Sequence, residues 1–169
     1  MSNYKRSTRE CTFVELQPGL LQAMRAYFTE HAMAGIESQI LMCCETISER
    51  KKSGKLAALL GENSEQVYRL AAFVTPEWLV WARSGETTNT RVAAANLKNV
   101  RVRQLDSLLF KENGIEIEGF LDGSFTKVHG SIALGPEPSA DRFWNAVREA
   151  AEAINPPRRL MDLFGKVPK

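Results

Sequence analysis

The chain contains few of the residues that usually carry catalysis or bind metals. Its 169 residues include only three cysteines and two histidines, and these form no CxxC or HxxxH spacing. A structural zinc site needs such spacing, and a cysteine nucleophile needs a base beside it. Phosphate-loop, dinucleotide-binding and nucleophile-elbow motifs are also missing. We therefore predict a protein that is not an enzyme and needs no metal or cofactor.

Disulfides and membrane segments are also not expected. An odd number of cysteines does not complete a disulfide framework, and Cys43 and Cys44, as neighbours on a strand, would point to opposite faces. No run reaches the roughly 18 apolar residues of a membrane-spanning helix, and the first residues lack the apolar core of a signal peptide. These features predict a cytoplasmic protein, with peripheral contact at a membrane surface as an open alternative.

The apolar pattern predicts an α+β protein: a helix, about seven antiparallel strands and a closing helix. Residues 1–12 are polar and basic, and we expect them to fray. Apolar residues recur with helical spacing over residues 20–31. Residues 49–64 read as a charged loop with a short apolar turn inside it. The predicted strands are 37–48, 66–74, 78–83, 90–95, 100–105, 115–118 and 126–134.

Local signals mark where these elements end. Thr75-Pro76-Glu77 is typical of a turn, and Asn113-Gly114 predicts a hairpin turn. Ser139 predicts the N-cap of the closing helix. That helix has an apolar stripe of Phe143, Val147, Ala150 and Ile154.

The order of these elements resembles the pleckstrin-homology-like fold, and in particular its bacterial members, which are relatives of GRAM-type domains. The resemblance rests on the segments LMCCETISERKKSG, VTPEWLVWAR, AANLKNVRV and FWNAVREAAEAI, and it covers residues 36–155. It implies a bent antiparallel barrel of about seven strands with a C-terminal capping helix. Residues 1–35 would form an N-terminal arm and an added helix, and residues 156–169 a C-terminal tail.

The resemblance also implies a scaffold for binding. Eukaryotic lipid-binding members carry a basic loop after the first strand and a basic-x-Arg pair on the second. Here the loop contains four cations, while the second strand has one arginine. Cationic side chains near an anionic bilayer contribute about 1 kcal/mol each. The candidate anion-binding or lipid-binding residues are Arg50, Lys51, Lys52, Lys55, Arg69, Arg101 and Arg103.

Each candidate also has a purely structural interpretation. The loop at 50–55 could be a solvated segment that keeps the chain soluble. Arg101 and Arg103 lie on one face of a strand and could pair with Glu116 and Glu118 across the sheet. The three tryptophans, Trp78, Trp81 and Trp144, could stack on bases, but core packing accounts for them equally simply.

These observations favour a non-catalytic interaction module of unknown ligand, with a protein partner or self-association at an exposed helix or sheet edge. One alternative is an anionic-lipid binder that uses residues 50–55. A weaker alternative is a single-stranded nucleic-acid binder that uses Arg101, Arg103 and a tryptophan.

Overall fold

Two helices and eight strands make up the computed structural model, which describes residues 4–51, 66–105, 113–120 and 128–156. The α+β class predicted from the sequence is confirmed. Helix α1 spans Pro18–Glu30 and helix α2 spans Pro138–Ile154. Short 3-10 turns lie at Phe13–Glu15 and Ile36–Gln39. The strands are β1 Tyr4–Glu10, β2 Met42–Arg50, β3 Val67–Val74, β4 Trp78–Gly85, β5 Arg91–Asn96, β6 Val100–Gln104, β7 Asn113–Gly119 and β8 Val128–Leu134.

The strands form two antiparallel sheets. The first has the order β1-β2-β3-β4-β5 and the second the order β6-β7-β8. Because consecutive strands are neighbours, each sheet is a meander, as the short connections predicted. The predicted loop at 49–64 lies largely outside the described residues, and so do most of the tail at 156–169 and the β6–β7 connection.

The predicted hairpin turn at Asn113-Gly114 is wrong. Both residues belong to β7, where Asn113 is opposite Leu134 and Gly114 is opposite Ala133. A Cβ on Gly114 would clash with the backbone carbonyl oxygen of Ile132. The glycine is therefore explained by close approach of the neighbouring strand, which is the other common reason for a glycine inside a sheet.

The expectation that residues 1–12 fray is wrong for Tyr4–Glu10. This segment is β1, and it pairs with β2 along its whole length. Thr8 ties it to the chain that leads into α2. The Thr8 hydroxyl contacts the Thr46 hydroxyl at 2.7 Å and accepts a hydrogen bond from the Gly135 amide at 2.7 Å. Polar contacts therefore order a segment that hydropathy alone marks as loose.

Helix α2 packs against both sheets, as predicted for the closing helix. Phe143 and Val147 are fully buried in a core that includes Leu79 of the first sheet and Ile117 of the second. The helix begins one residue before the predicted cap, and its N-cap is Glu137. The Ser139 hydroxyl instead donates to the Thr8 carbonyl at 2.6 Å.

Helix α1 covers the outer face of the first sheet and forms a second core. Leu20, Met24 and Phe28 pack there with Phe13 and Phe73. The Phe13 and Phe28 rings meet the Phe73 ring at centroid distances of 5.5 and 5.8 Å, a favourable edge-to-face geometry. This contact fixes α1 on the sheet.

Side-chain alternation across the first sheet follows the sequence prediction. Cys43 lies in the core under α1, whereas Cys44 lies in the core between the sheets. Trp81 is buried between the sheets, and Trp78 packs against the α1 core. Trp144 of α2 is half-buried and packs against the core between the sheets. All three tryptophans therefore pack against a core, with Trp78 and Trp144 partly exposed, and nucleic-acid binding stays a prediction.

Candidate functional site

The structure separates the candidate cations named from the sequence. Arg50 ends β2 and Lys51 follows it in solvent. Lys52 and Lys55 lie outside the described residues, so the lipid-binding hypothesis for the loop stays a prediction. Arg69 is on the α1 side of the first sheet, with its Nη1 atom 3.9 Å from Glu45 Oε1. Of the candidates that the structure describes, Arg101 and Arg103 share a surface, the outward face of β6.

Glu45 accounts for the position of Arg69. The Glu45 side chain is only 3% exposed, and its Oε2 atom accepts a hydrogen bond from Arg9 Nε at 3.2 Å. Two arginines thus neutralise one buried carboxylate. Arg69 therefore has a carboxylate partner within the first sheet, and its role in anion binding stays a prediction.

A groove of about 970 Å³ runs beside β6, between this strand and the C-terminal half of α2. Its residues come from the β5–β6 turn, β6, the end of β7 and α2. Four cations and two carboxylates line it: Lys98, Arg101, Arg103, Arg148, Glu118 and Glu152. The predicted pair Arg101 and Arg103 therefore belongs to a concave surface with an excess of positive charge.

Among the described strands, β6 lies at the edge of the second sheet, and the groove runs beside it from Lys98 to Arg103. The Leu105 amide donates to the Gly114 carbonyl and the Phe120 amide to the Asn99 carbonyl. Since hydrogen-bonded pairs alternate in an antiparallel ladder, Arg101 and Arg103 bond to β7. The N–H and C=O groups of Val100, Val102 and Gln104 point away from it. Within the described part of the chain, no backbone partner pairs with them.

Apolar atoms line the floor of the groove. Val100 is buried, Val102 is half-buried against the core between the sheets, and Ala151 of α2 faces them. Phe120 stands at one wall and is 49% exposed, so it adds apolar surface to the groove. At the end of α2, Asn155 Nδ2 donates to the Leu97 carbonyl at 3.0 Å and fixes the helix to the β5–β6 turn.

Cross-strand charge pairing accompanies the free edge. Arg101 is opposite Glu118 and Arg103 is opposite Glu116 in the register of β6 and β7. Arg103 Nη2 lies 4.0 Å from Glu118 Oε2. The sequence prediction that these arginines face glutamates across the sheet is confirmed, but both arginines remain exposed at the groove. The two arginines can therefore pair with the glutamates of β7 and still contact a ligand in the groove.

The cysteines do not form a reactive site with a histidine. Cys43 and Cys44 are buried, and burial raises the pKa of the Cys44 thiol. The hydrogen bond between Cys11 and Cys43 lowers the pKa of Cys11 and raises that of Cys43. Across the described ranges, no cluster of three or more His, Cys, Asp or Glu side chains could hold a metal ion. None of the described helices has the length and apolar character needed to cross a bilayer.

Sequence reasoning found Arg101 and Arg103 but not the rest of the groove. The alternation of valine and arginine at 100–103 predicted the strand. Its position at a sheet edge, and the proximity of Arg148 and Ala151, depend on how α2 packs. Phe120 is the one groove residue with a usable signal, a large apolar residue just beyond an alternating strand.

No protein-family model, no curated protein and no solved structure matches this chain.

Proposed function

We propose that this protein is a non-catalytic interaction module of pleckstrin-homology-like fold that binds an extended segment of a partner protein along β6. The observation that carries the proposal is the outer edge of β6 at Val102, whose N–H and C=O groups point away from β7, have no backbone partner among the described residues and lie beside a groove with an apolar floor. Unpaired strand edges accept an added strand readily. Main-chain hydrogen bonds then supply affinity, and side-chain pockets supply specificity.

The strand count supports the fold part of this proposal. Seven of the eight strands, β2 to β8, fall within residues 36–155, four in the first sheet and three in the second. The helix α2 follows them and packs between the sheets. Strand β1 and helix α1 are then additions at the N-terminal side. The strand count, the two antiparallel sheets and the position of α2 support the capped barrel that the sequence resemblance implies.

The charges of the groove favour an acidic partner over a second copy of this chain. Antiparallel pairing of two β6 strands about Val102 would place Arg101 of one copy opposite Arg103 of the other, twice. Like charges directly opposite each other destabilise a strand pair. An acidic segment would instead place carboxylates beside these guanidiniums and beside Lys98 and Arg148.

The test is fluorescence polarisation with a labelled peptide of about eight residues that alternates glutamate and valine, a length that covers one strand. We expect saturable binding, and no binding of the matching lysine–valine peptide. Val102→Pro removes one outward N–H and leaves the β6–β7 ladder intact, because that N–H has no partner in β7. We expect this variant to weaken binding at least about ten-fold.

Val102→Ala is the matched control, because it shortens the same side chain and keeps the N–H. We expect it to bind more tightly than Val102→Pro. Gln104→Pro removes the next outward N–H at an exposed position and provides a second test if Val102→Pro unfolds. Equal affinity of the proline variants and the unchanged protein would contradict strand addition.

A further inference from the structure

A second concave surface lies near the start of β3, the end of β4 and the start of β5. Two cavities of about 160 and 440 Å³ open there, and Tyr68 and Arg83 line both. Arg6 of β1 lines the smaller cavity and Arg91 of β5 the larger. No described residue that lines either cavity is acidic. We call this surface the arginine mouth.

Arg83 and Arg91 are directly opposite each other on neighbouring strands. Their side chains therefore share one face of the sheet, and two like charges in this position repel each other. Both are exposed, and neither forms an ion pair with a carboxylate in the part of the chain that the structure describes. A pair of this kind is stabilised when an anion lies between the two guanidiniums.

Tyr68 fixes the direction of one guanidinium. The Arg83 guanidinium carbon lies 4.2 Å from the centroid of the Tyr68 ring, which is a cation–π contact. The Tyr68 ring also packs against the Tyr4 ring, with 5.5 Å between the ring centroids. This contact holds the Arg83 guanidinium over the ring at the cavity wall, where its N–H groups can donate to an oxyanion.

Hydroxyl groups and one amide complete the donor set. Ser48 and Ser131 line the smaller cavity, and Thr88 and Asn89 line the larger. The mouth therefore offers guanidinium, hydroxyl and amide donors and no described carboxylate to compete with them. The groove beside β6 differs, because two glutamates share it with its cations.

We propose that the arginine mouth binds a phosphate-bearing ligand, with Arg83 and Arg91 donating to the phosphate oxygens. Planar guanidinium groups match phosphate geometry in a bidentate manner. This site is separate from the groove beside β6, and it requires none of the groove residues. The phosphate could belong to a soluble compound or to a lipid headgroup, and both sources present the same oxygens.

The soluble arm measures pyrophosphate binding by isothermal titration calorimetry at a fixed ionic strength set with sodium chloride. We expect binding to the unchanged protein and a dissociation constant raised about ten- to a hundred-fold in Arg91→Gln, since charge-assisted hydrogen bonds are lost. Arg83→Gln should act in the same direction. Arg25→Gln is the matched control, because it removes an exposed arginine of α1 that lines neither the arginine mouth nor the groove beside β6, and it should bind as the unchanged protein does.

The lipid arm measures co-sedimentation with phosphatidylcholine vesicles that contain or lack phosphatidic acid. Pelleting that requires phosphatidic acid and Arg91 supports the site with a lipid source. Binding of pyrophosphate without pelleting supports the site with a soluble source. The proposal is overturned if neither probe binds, or if Arg91→Gln and Arg25→Gln bind both probes equally. Peptide binding at β6 is measured separately, so the two proposals can fail independently.

Discussion

The three cysteines illustrate how local environment assigns different chemistry to one residue type. Cys43 and Cys44 are neighbours in sequence, yet they lie in different cores and are both buried. Cys11 is half-exposed at the end of β1. Its pKa is lowered by the hydrogen bond with Cys43, and the Arg9 guanidinium acts in the same direction. Because the thiolate is the nucleophile, Cys11 should be the reactive one.

We therefore predict that iodoacetamide alkylates Cys11 at least about ten-fold faster than Cys43 or Cys44 in the folded protein at neutral pH. The lowered pKa means that thiolate forms at a lower pH than in an unfolded chain, so Cys11 labelling should persist as the pH falls toward neutrality. Mass spectrometry of peptides over a labelling time course measures each rate. Cys43→Ala removes the hydrogen bond and should slow labelling of Cys11. Equal rates at all three cysteines would contradict the assignment.

At the scale of single residues, the sequence predicts on which face of a strand a side chain lies but not which residue it pairs with. Alternation along a strand correctly placed Cys43 and Cys44 on opposite sides and Arg101 with Arg103 on one side. The buried Glu45 and its arginines could not be foreseen, since the pairing depends on the registers of β1 and β3 with β2. A register is a property of two strands, and periodicity within one strand does not contain it.

Strand β1 shows the same difficulty for a whole element. Only Thr8 is buried along it, so the segment has no apolar alternation to find. Its order comes from the ladder with β2 and from the linker to α2. The Thr8 amide donates to Glu137 Oε2 at 2.8 Å, and Arg142 pairs with Glu10 at 2.8 Å. These contacts also use the outer edge of β1, so this edge is protected whereas that of β6 is open.

Thr8→Val should destabilise the fold by about 1–3 kcal/mol. Valine keeps the shape of the side chain but leaves the Gly135 amide and the Thr46 hydroxyl without their shared partner in a buried site. Urea unfolding followed by circular dichroism measures the change as a lower midpoint at constant slope.

Ser7→Val is the control for Thr8→Val, because Ser7 is exposed on the same strand. We expect it to change stability by no more than about 0.5 kcal/mol. A Thr8→Val protein as stable as this control would show that β1 is not held by the Thr8 contacts.

For the whole molecule, packing of α2 between the sheets determines where a partner could bind. It buries Phe143 and Val147 against both sheets and places Arg148 and Ala151 beside β6. The capping helix and the strand order were predictable from apolar periodicity. The groove was not, because it joins residues 98–103, 118–120 and 148–156, which become neighbours only in the folded chain.

The alternation of backbone groups along β6 gives the sharpest test of partner binding. Arg101 and Arg103 already donate their amides to β7, whereas those of Val102 and Gln104 point away from β7, toward the side on which a partner strand would add. Strand addition must therefore protect every second amide. The measurement is amide hydrogen exchange by NMR, with and without the glutamate–valine peptide. Slower exchange at Val102 and Gln104, with Arg101 and Arg103 unchanged, is the predicted result; unchanged exchange at Val102 and Gln104 while the peptide is bound would contradict it.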